Sequence, residues 1–226
     1  MRFAYPHGSR KAVPALSSRP RPTRHRCRPL LFQQLESRQL LAAIGDWAML
    51  DLRSYFQEAG VEFQNLSGVV FHNDQLAVAA NVELSGDETQ ARLVLVDYDI
   101  ETHTAAVDRD LVIPSLGGET VVNAVNSSGS VVYLTGRSLS PAAPRYGEAF
   151  RATWTGAGID NVGLGFISGT GSQVPIYCSE GHAVNAQGVV AGKSDGGRAV
   201  FVYDQVMEHA GDVDGAGVAL GISTNG

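Results

Sequence analysis

Short apolar runs separated by turn residues dominate the chain after residue 46. Three pairs of such runs have the pattern of a strand, a connection and a second strand, and one connection is Asp195-Gly196-Gly197, a strong hairpin signal. The pattern predicts a mainly β fold of repeated antiparallel hairpins over 46–226, with strands from about Trp47 onwards. The predicted strand pairs are 76–82 with 91–97, 131–135 with 148–154 across a longer proline-containing loop, and 189–194 with 198–203.

A six-residue pattern precedes these hairpins: small, aliphatic, polar, two variable positions, then glycine. It occurs at 124–129, at 183–188 and at 221–226, and a degenerate form at 71–78 has Gln75 in place of the glycine. Repetition of this kind predicts stacked units that bury one another's apolar faces. The predicted copies are 65–112, 113–160, 161–208 and a partial copy, 209–226.

The repeats resemble the HAF-type extracellular repeat, in which an (A/G)-(I/V)-N-x-x-G-x-V-V-G segment leads to a strand close to A-F-x-W. The matching strands are 148–154 and 198–203, where Val200 and Tyr203 replace the phenylalanine and tryptophan. The resemblance implies β-propeller-like blades and an extracellular protein. A propeller needs about four or more blades, and the partial copy stops on its turn at Gly226, so we expect an incomplete ring in a truncated chain.

The N-terminal part differs in character from the rest. Residues 1–29 are rich in Arg, Pro and Ser and predict a disordered basic arm, and 30–45 have the spacing of a short helix. Within that helix, 35–41 (LESRQLL) resemble the LEPR-x-LL motif of exported planctomycete-type surface proteins, with Ser37 in place of proline. The resemblance implies export; the alternative is an ordinary amphipathic helix that packs on the body.

Charge is divided unevenly along the chain. Residues 1–38 hold nine Lys or Arg and one acid, a charge of +8, and the remaining eight Lys or Arg and 22 acids give −14, for a total of −6. The acidic body argues against nucleic acid as its partner. No apolar run is long enough for a membrane span. Cys27 and Cys178 are the two cysteines, so a body without its arm has no disulfide framework.

Motifs for a serine nucleophile, a phosphate-binding loop or a zinc site do not occur in the sequence. We therefore predict no catalytic residue and no cofactor. His72, His182 and His209 are candidate functional histidines, each more simply explained as a surface or turn residue. Asp212 and Asp214 are the candidate ligands of a hard metal ion, with an ordinary Gly/Asp turn as the alternative.

Two further groups of residues have alternative interpretations. The pairs Asp97/Asp99 and Asp108/Asp110 place two carboxylates on one face of a strand, as metal binding or acid–base chemistry requires. The aromatic residues of the second hairpin strands predict core packing, or a platform on which sugars stack. These residues are Phe150, Trp154, Phe201 and Tyr203.

Together these features predict a secreted or cell-surface structural or interaction module of β-propeller-like repeats, without catalytic activity. The sequence leaves two classes of partner open, an extracellular polysaccharide and another protein. The alternative is a fragment of a propeller-bearing carbohydrate-binding or carbohydrate-active protein, with Asp97, Asp99, Asp212 or Asp214 as the candidate carboxylates. A nucleic-acid binder acting through its basic arm ranks last.

Overall fold

The computed structural model describes residues 50–84, 86, 88–99, 101–102, 104–167, 177–194, 199–204, 206–212 and 221–223. The predicted basic arm (1–29) and export helix (30–45) lie outside these residues. All described residues belong to one of the chain's two units, Ile44–Gly226. In this part of the chain the prediction of a mainly β fold with antiparallel strands is confirmed.

Twelve strands of the described region form three four-stranded antiparallel sheets. In each sheet the strands lie side by side in chain order, so every connection joins neighbouring strands. Sheet I consists of β1 (Glu62–His72), β2 (Gln75–Leu84), β3 (Glu88–Asp99) and β4 (Thr104–Val112). Sheet II consists of β5 (Thr120–Ser128), β6 (Val131–Ser140), β7 (Ala143–Trp154) and β8 (Ile159–Gly163). Sheet III consists of β9 (Ser179–Val184), β10 (Val190–Ser194), β11 (Ala199–Asp204) and β12 (Val206–Asp212).

The three sheets pack face to face, with their first strands next to one another. β5 lies against β1, β2 and β3, and β9 lies against β5, β6 and β7. Between sheets I and II, apolar side chains of both sheets form one buried cluster, which includes Leu93, Leu134 and Phe150. Between sheets II and III a second cluster includes Val190 and Phe201. Each sheet–sheet interface is therefore a hydrophobic core of its own.

The first turn of each sheet contains residues with positive φ. Gly129 (φ +56°) and Gly188 (φ +76°) provide it in sheets II and III, whereas Asn73 (φ 46°) and Asp74 (φ 64°) do so in sheet I. Asparagine and aspartate tolerate this conformation better than other non-glycine residues. The prediction that Gln75 replaces the glycine is wrong, because Gln75 pairs with His72 in the ladder.

Each first strand also carries a bulge near its middle. The residue left unpaired at this bulge is Ser67 in β1, Asn123 in β5 and His182 in β9. Counting from these bulges aligns the sheets: the residues facing the bulge from the second strand are Ala80, Gly136 and Gly192. The alignment gives equivalent positions in all three sheets.

Phe150 and Phe201 are equivalent in this alignment, because they pair with Gly136 and Gly192. Both are fully buried, so they belong to the cores between sheets, as does Trp154. The prediction that Val200 replaces the repeat's phenylalanine is therefore wrong by one residue. Tyr203 is half-buried against the second core, which favours packing over sugar stacking for these aromatic residues.

The connection predicted between 135 and 148 is not a long loop. β6 continues to Ser140 and β7 begins at Ala143, so Pro141 lies in a short turn, and β7 begins well before its pairing with β8. Polar side chains near this turn form hydrogen bonds within the ribbon. Ser140 Oγ, for example, donates to Glu148 Oε2 at 2.7 Å.

A short helix, α1 (Leu52–Glu58), lies in a stretch that was predicted as strand. Asp51 caps it by accepting from the backbone N–H groups of Arg53 and Ser54. Leu52 and Phe56 are buried against the face of sheet I that is turned away from sheet II. The helix therefore covers part of a face that no sheet of the described region covers.

Gly136→Ala is expected to lower the free energy of unfolding by about 2–3 kcal/mol, because a Cβ at this position would collide with the carbonyl oxygen of Val121 opposite the bulge. Gly158→Ala is the matched control, since nothing lies within 4 Å of its Cβ position. Urea unfolding of both variants measures the difference. Equal stability of the two variants would contradict the close approach at the bulge.

Candidate functional site

The first strands of neighbouring sheets are joined by a contact that recurs at the bulges. Ser67 Oγ donates to the carbonyl oxygen of Val122 at 2.6 Å, and Asn123 Nδ2 donates to the carbonyl oxygen of Gly181 at 2.9 Å. Val122 and Gly181 are equivalent residues of β5 and β9. A bulge residue of one sheet therefore binds the same backbone position of the next sheet, and we call this contact the inter-sheet joint.

Asn81 of β2 strengthens the joint between sheets I and II. Its Oδ1 accepts from the Val122 N–H and its Nδ2 donates to the Val122 carbonyl, both at 2.9 Å. The same amide contacts Asn65 and Ser67. Because Asn81 is buried, its amide pairs the Val122 N–H at the β5 bulge and joins Ser67 in pairing the Val122 carbonyl.

The asparagine of the repeat pattern forms a second connection between sheets. Asn126 Nδ2 donates to the carbonyl of Val184 at 3.1 Å, and Asn185 Nδ2 donates to the carbonyl of Ser223 at 3.0 Å. Asn185 Oδ1 also accepts from the backbone of Gln187, within its own turn. Asn126 and Asn185 thus each bind a carbonyl of a later segment of the chain, in β9 and in residues 221–223.

At the joint between sheets II and III there is a charged cluster of four side chains. Glu180 Oε1 accepts from Asn123 Nδ2 at 3.0 Å, and Glu180 Oε2 lies 2.9 Å from Lys193 Nζ. The ring of His182 is on the same side, with Nε2 3.7 Å from Glu180 Oε2. This Nε2 is buried and has no hydrogen-bond partner among the described residues.

Burial and charge have opposite effects on the pKa values of Glu180 and His182, the two groups of the cluster whose pKa is shifted. Burial would raise the pKa of Glu180, but hydrogen bonds from Lys193 and Asn123 and the nearby positive charges outweigh it, and the pKa lies below its usual value. Burial lowers the pKa of His182, and the charge of Glu180 opposes this only in part. At neutral pH the cluster therefore holds an ionised Glu180 and a neutral His182.

This arrangement is suited to holding two sheets together. Both oxygens of Glu180 are already engaged, one by a residue of sheet II and one by a residue of sheet III. A carboxylate with a lowered pKa is a poor general acid, and its engaged lone pairs make it a poor base. The chemistry available to the cluster is thus a charged clamp across the joint, with His182 as its titratable part.

The predicted carboxylate pairs are not used as pairs. Asp97 Oδ1 accepts from Gln75 Nε2 at 2.7 Å, and Asp108 Oδ2 accepts from the same nitrogen at 3.0 Å. Asp99 caps the turn between β3 and β4 through two backbone N–H groups. The bulge at Asp108 in β4 separates Asp108 from Asp110, because it breaks the alternation on which the pairing of i and i+2 depends.

Asp110 faces the other side of sheet I, where its Oδ2 lies 3.4 Å from Arg92 Nη1 in a largely buried ion pair. Burial raises the pKa of Asp110, and Arg92 opposes the rise. For the predicted metal ligands, Asp214 and the side chain of Asp212 lie outside the described residues. Within the described part of the chain no three His, Cys, Asp or Glu residues are placed to hold a metal ion.

Of the other two candidate histidines, the structure describes the side chain of His72. His72 is buried at the first turn of sheet I, with its ring at 5.2 Å from that of Trp154 in an edge arrangement. Burial lowers its pKa. The side chain of His209 lies outside the described residues. His72 is therefore a packing residue between sheets I and II.

An open groove of about 500 Å³ lies beside α1, where the chain enters β1. Its charged members, Arg53 and Glu62, are exposed, and the groove is more polar than apolar. Small-molecule sites are mostly apolar clefts with a few convergent polar groups, so the groove does not resemble one. It is lined by Arg53, Gln57, Gly60, Val61, Glu62 and Phe63.

No family model, curated protein or solved structure matches this chain. Among the helices of the described region, none has the length and apolar character needed to cross a membrane. The role of the inter-sheet joint and its charged cluster is therefore inferred from their geometry.

Sequence reasoning missed the inter-sheet joint, because strand patterns give no direct sign of a bulge. A signal was nevertheless present: Asn123 and His182 each stand directly before the repeat pattern, as the polar residue in front of Ala124 and Ala183. In sheet I the equivalent residue is Ser67, in front of Gly68. Asn81, by contrast, carries no recognisable signal, since a buried asparagine in an apolar strand can have many partners.

Asn81→Leu is expected to lower the free energy of unfolding by about 2 kcal/mol, because it removes the side-chain acceptor of the buried Val122 N–H and leaves the Val122 carbonyl with the Ser67 hydroxyl. Gln64→Leu makes the same chemical change at an exposed position of β1 and is expected to be nearly neutral. Urea unfolding at neutral pH gives both values. Similar stability of the two variants would mean that Asn81 does not stabilise the inter-sheet joint.

The stability of the protein is expected to fall as the pH drops below about 6.5, because the unfolded chain takes up a proton on His182 and His72 before the folded chain does. His182→Asn, which copies the equivalent Asn123, should remove part of this fall and leave the part due to His72. The measurement is the difference in unfolding free energy between pH 7.5 and 5.5. An identical pH dependence in the wild type and the variant would contradict the burial of a neutral His182.

Proposed function

We propose that the protein is a non-catalytic, secreted or cell-surface structural and interaction module whose four-stranded sheets are propeller-like blades. The observation that carries the proposal is the inter-sheet joint, which recurs at equivalent residues between sheets I and II and between sheets II and III. A propeller is built from four-stranded antiparallel sheets packed around an axis. The adjacent first strands β1, β5 and β9 have the order expected of strands that line such an axis.

The chemistry of the joint supports a structural role. Its most reactive residues, Glu180 and His182, lie between two sheets, where Glu180 is held by Asn123 and Lys193. The acid pair that shares Gln75 lies at an exposed position of sheet I, where the amide of Gln75 engages both carboxylates. Side chains that satisfy one another contribute to order and stability more than to turnover.

The proposed location rests on the N-terminal sequence. The basic arm (1–29) followed by 30–45, with their resemblance to an exported surface-protein motif, supports export to the cell surface or medium. The acidic body supports an uncharged or basic partner over nucleic acid. An extracellular polysaccharide and another protein are the two partner classes in the proposal.

Two measurements test the function. In the fractionated host culture the protein is expected in the medium or surface fraction, and a product confined to the cytosol would contradict export. In a panel of glycoside hydrolase substrates no turnover is expected. Asp160→Asn is the control, because Asp160 is an exposed acid on β8. Turnover that is lost in Asp97→Asn and kept in Asp160→Asn would favour the carbohydrate-active alternative.

A further inference from the structure

The charged cluster at the joint between sheets II and III brings together an amine, a side-chain amide and a carboxylate. Lys193 Nζ lies 2.9 Å from Glu180 Oε2, and Asn123 Nδ2 lies 3.0 Å from Glu180 Oε1. Asn123 belongs to β5 of sheet II, whereas Lys193 belongs to β10 of sheet III. One carboxylate therefore holds the amine of one sheet and the carboxamide of the neighbouring sheet at its two oxygens.

Lys193 differs chemically from the other basic residues of the acidic body. Of the eight Lys or Arg residues in 39–226, seven are arginines and Lys193 is the single lysine. An arginine stays protonated in proteins, whereas a lysine can give up a proton and act as a nucleophile. The joint thus contains the one Lys or Arg side chain of the body that can form a covalent bond in this way.

The amide of Asn123 is fixed in position by two acceptors. Its Nδ2 donates to Glu180 Oε1 and, at 2.9 Å, to the carbonyl oxygen of Gly181. Both N–H groups of this nitrogen are thereby engaged, and the nitrogen lies against the carboxylate that also holds the lysine amine. Holding two reacting groups beside each other raises the rate of the reaction between them by a large factor.

We propose that Lys193 and Asn123 form an intramolecular isopeptide bond that joins sheets II and III covalently, with Glu180 as the catalytic residue of this single step. Lys193 Nζ becomes bonded to Asn123 Cγ, and the bond between Cγ and Nδ2 of Asn123 breaks. The bond would turn the charged clamp of the joint into a permanent cross-link. The proposal rests on the geometry of the joint and does not depend on the protein's location or on its ligand.

Glu180 carries the protons that the reaction moves. Its ionised Oε2 takes a proton from the Lys193 ammonium group, and the neutral amine then attacks Asn123 Cγ. This proton and a second one from Nζ pass through the carboxyl group to Nδ2, which leaves as ammonium. Glu180 ends ionised, as it began, and the reaction needs no oxidant, reductant or other reactant.

The resting charges of the cluster are compatible with a slow reaction. Burial would raise the pKa of Glu180, but hydrogen bonds from Lys193 and Asn123 outweigh it, so the pair starts as carboxylate and ammonium and the first proton transfer is unfavourable. A bond that forms once in each molecule does not need the turnover rate of an enzyme. The side chain of Lys193 is 33% exposed, which gives the released ammonium a path to solvent.

Peptide mass spectrometry of the full chain tests for the bond. Trypsin cleaves after Lys and Arg, so Asn123 falls in peptide 110–137 and Lys193 falls within 152–198. In the wild type we expect these two stretches as one cross-linked species, uncleaved at Lys193 and lighter than their sum by one molecule of ammonia. Fragmentation is expected to locate the link at Lys193 and Asn123.

Two variants and a control assign the roles of the residues. Lys193→Arg keeps a positive charge beside Glu180 but removes the nucleophile, and Glu180→Gln removes the proton carrier, so both should lose the cross-linked species. Glu83→Gln is the matched control, because Glu83 Oε2 also accepts from a side-chain amide, the Nε2 of Gln64 at 3.0 Å. This control should cross-link as completely as the wild type.

The bond is ruled out if the folded wild type, incubated at neutral pH, yields only separate peptides, or if the link lies at other residues. Loss of ammonia from 110–137 that persists in Lys193→Arg would indicate ring closure at an asparagine instead. Cross-linking of Glu180→Gln at the wild-type rate would overturn the role of Glu180. The wild type alone decides whether the bond forms, so the test does not depend on how well the variants fold. Separate peptides would leave the proposed function intact, and a cytosolic product would leave the bond intact.

Discussion

Each four-stranded sheet of this protein is apolar on a face that a neighbouring structure must cover, and the contact between first strands decides how it is covered. A bulge residue of one sheet donates to a fixed carbonyl of the next, through Ser67 and Val122 and through Asn123 and Gly181. These bonds fix which residues of two sheets lie opposite each other, and the apolar side chains then fill the space between them. Packing supplies the stabilisation, and the polar joint supplies the alignment.

The need to cover the apolar face of a sheet is met differently at the two ends of the stack. At one end α1 covers the centre of the back face of sheet I, with Phe56 fully buried, and leaves β1 exposed. At the other end, residues 221–223 lie beside sheet III and accept a hydrogen bond from Asn185. The Nε2 of His182, which has no hydrogen-bond partner among the described residues, lies at the bulge equivalent to those at Ser67 and Asn123.

Much of the fold could be predicted from local patterns, but the site could not. The second and third strands of each sheet follow from apolar runs and turn residues, as in β2, β3, β10 and β11. The acids Asp108 and Asp110 suggested a functional pair on one face of a strand, because the bulge in β4 that separates them leaves no mark in the sequence. α1 was missed because seven residues give a weak periodic signal, although Asp51 marked its start. The joint depends on bulges, which change the side-chain alternation within a strand and are set by the opposing strand.

The most direct test of the account is a nuclear Overhauser measurement of the distances between neighbouring sheets in solution. The account predicts cross-peaks from the Gly68 Hα protons to the Val125 methyl groups, and from the Gly181 Hα protons to the Thr135 side chain, because these atoms pack closely across the two sheet–sheet interfaces. Cross-peaks within each sheet serve as the reference. If those are present and both inter-sheet contacts are missing, the sheets do not stack face to face and the account is contradicted.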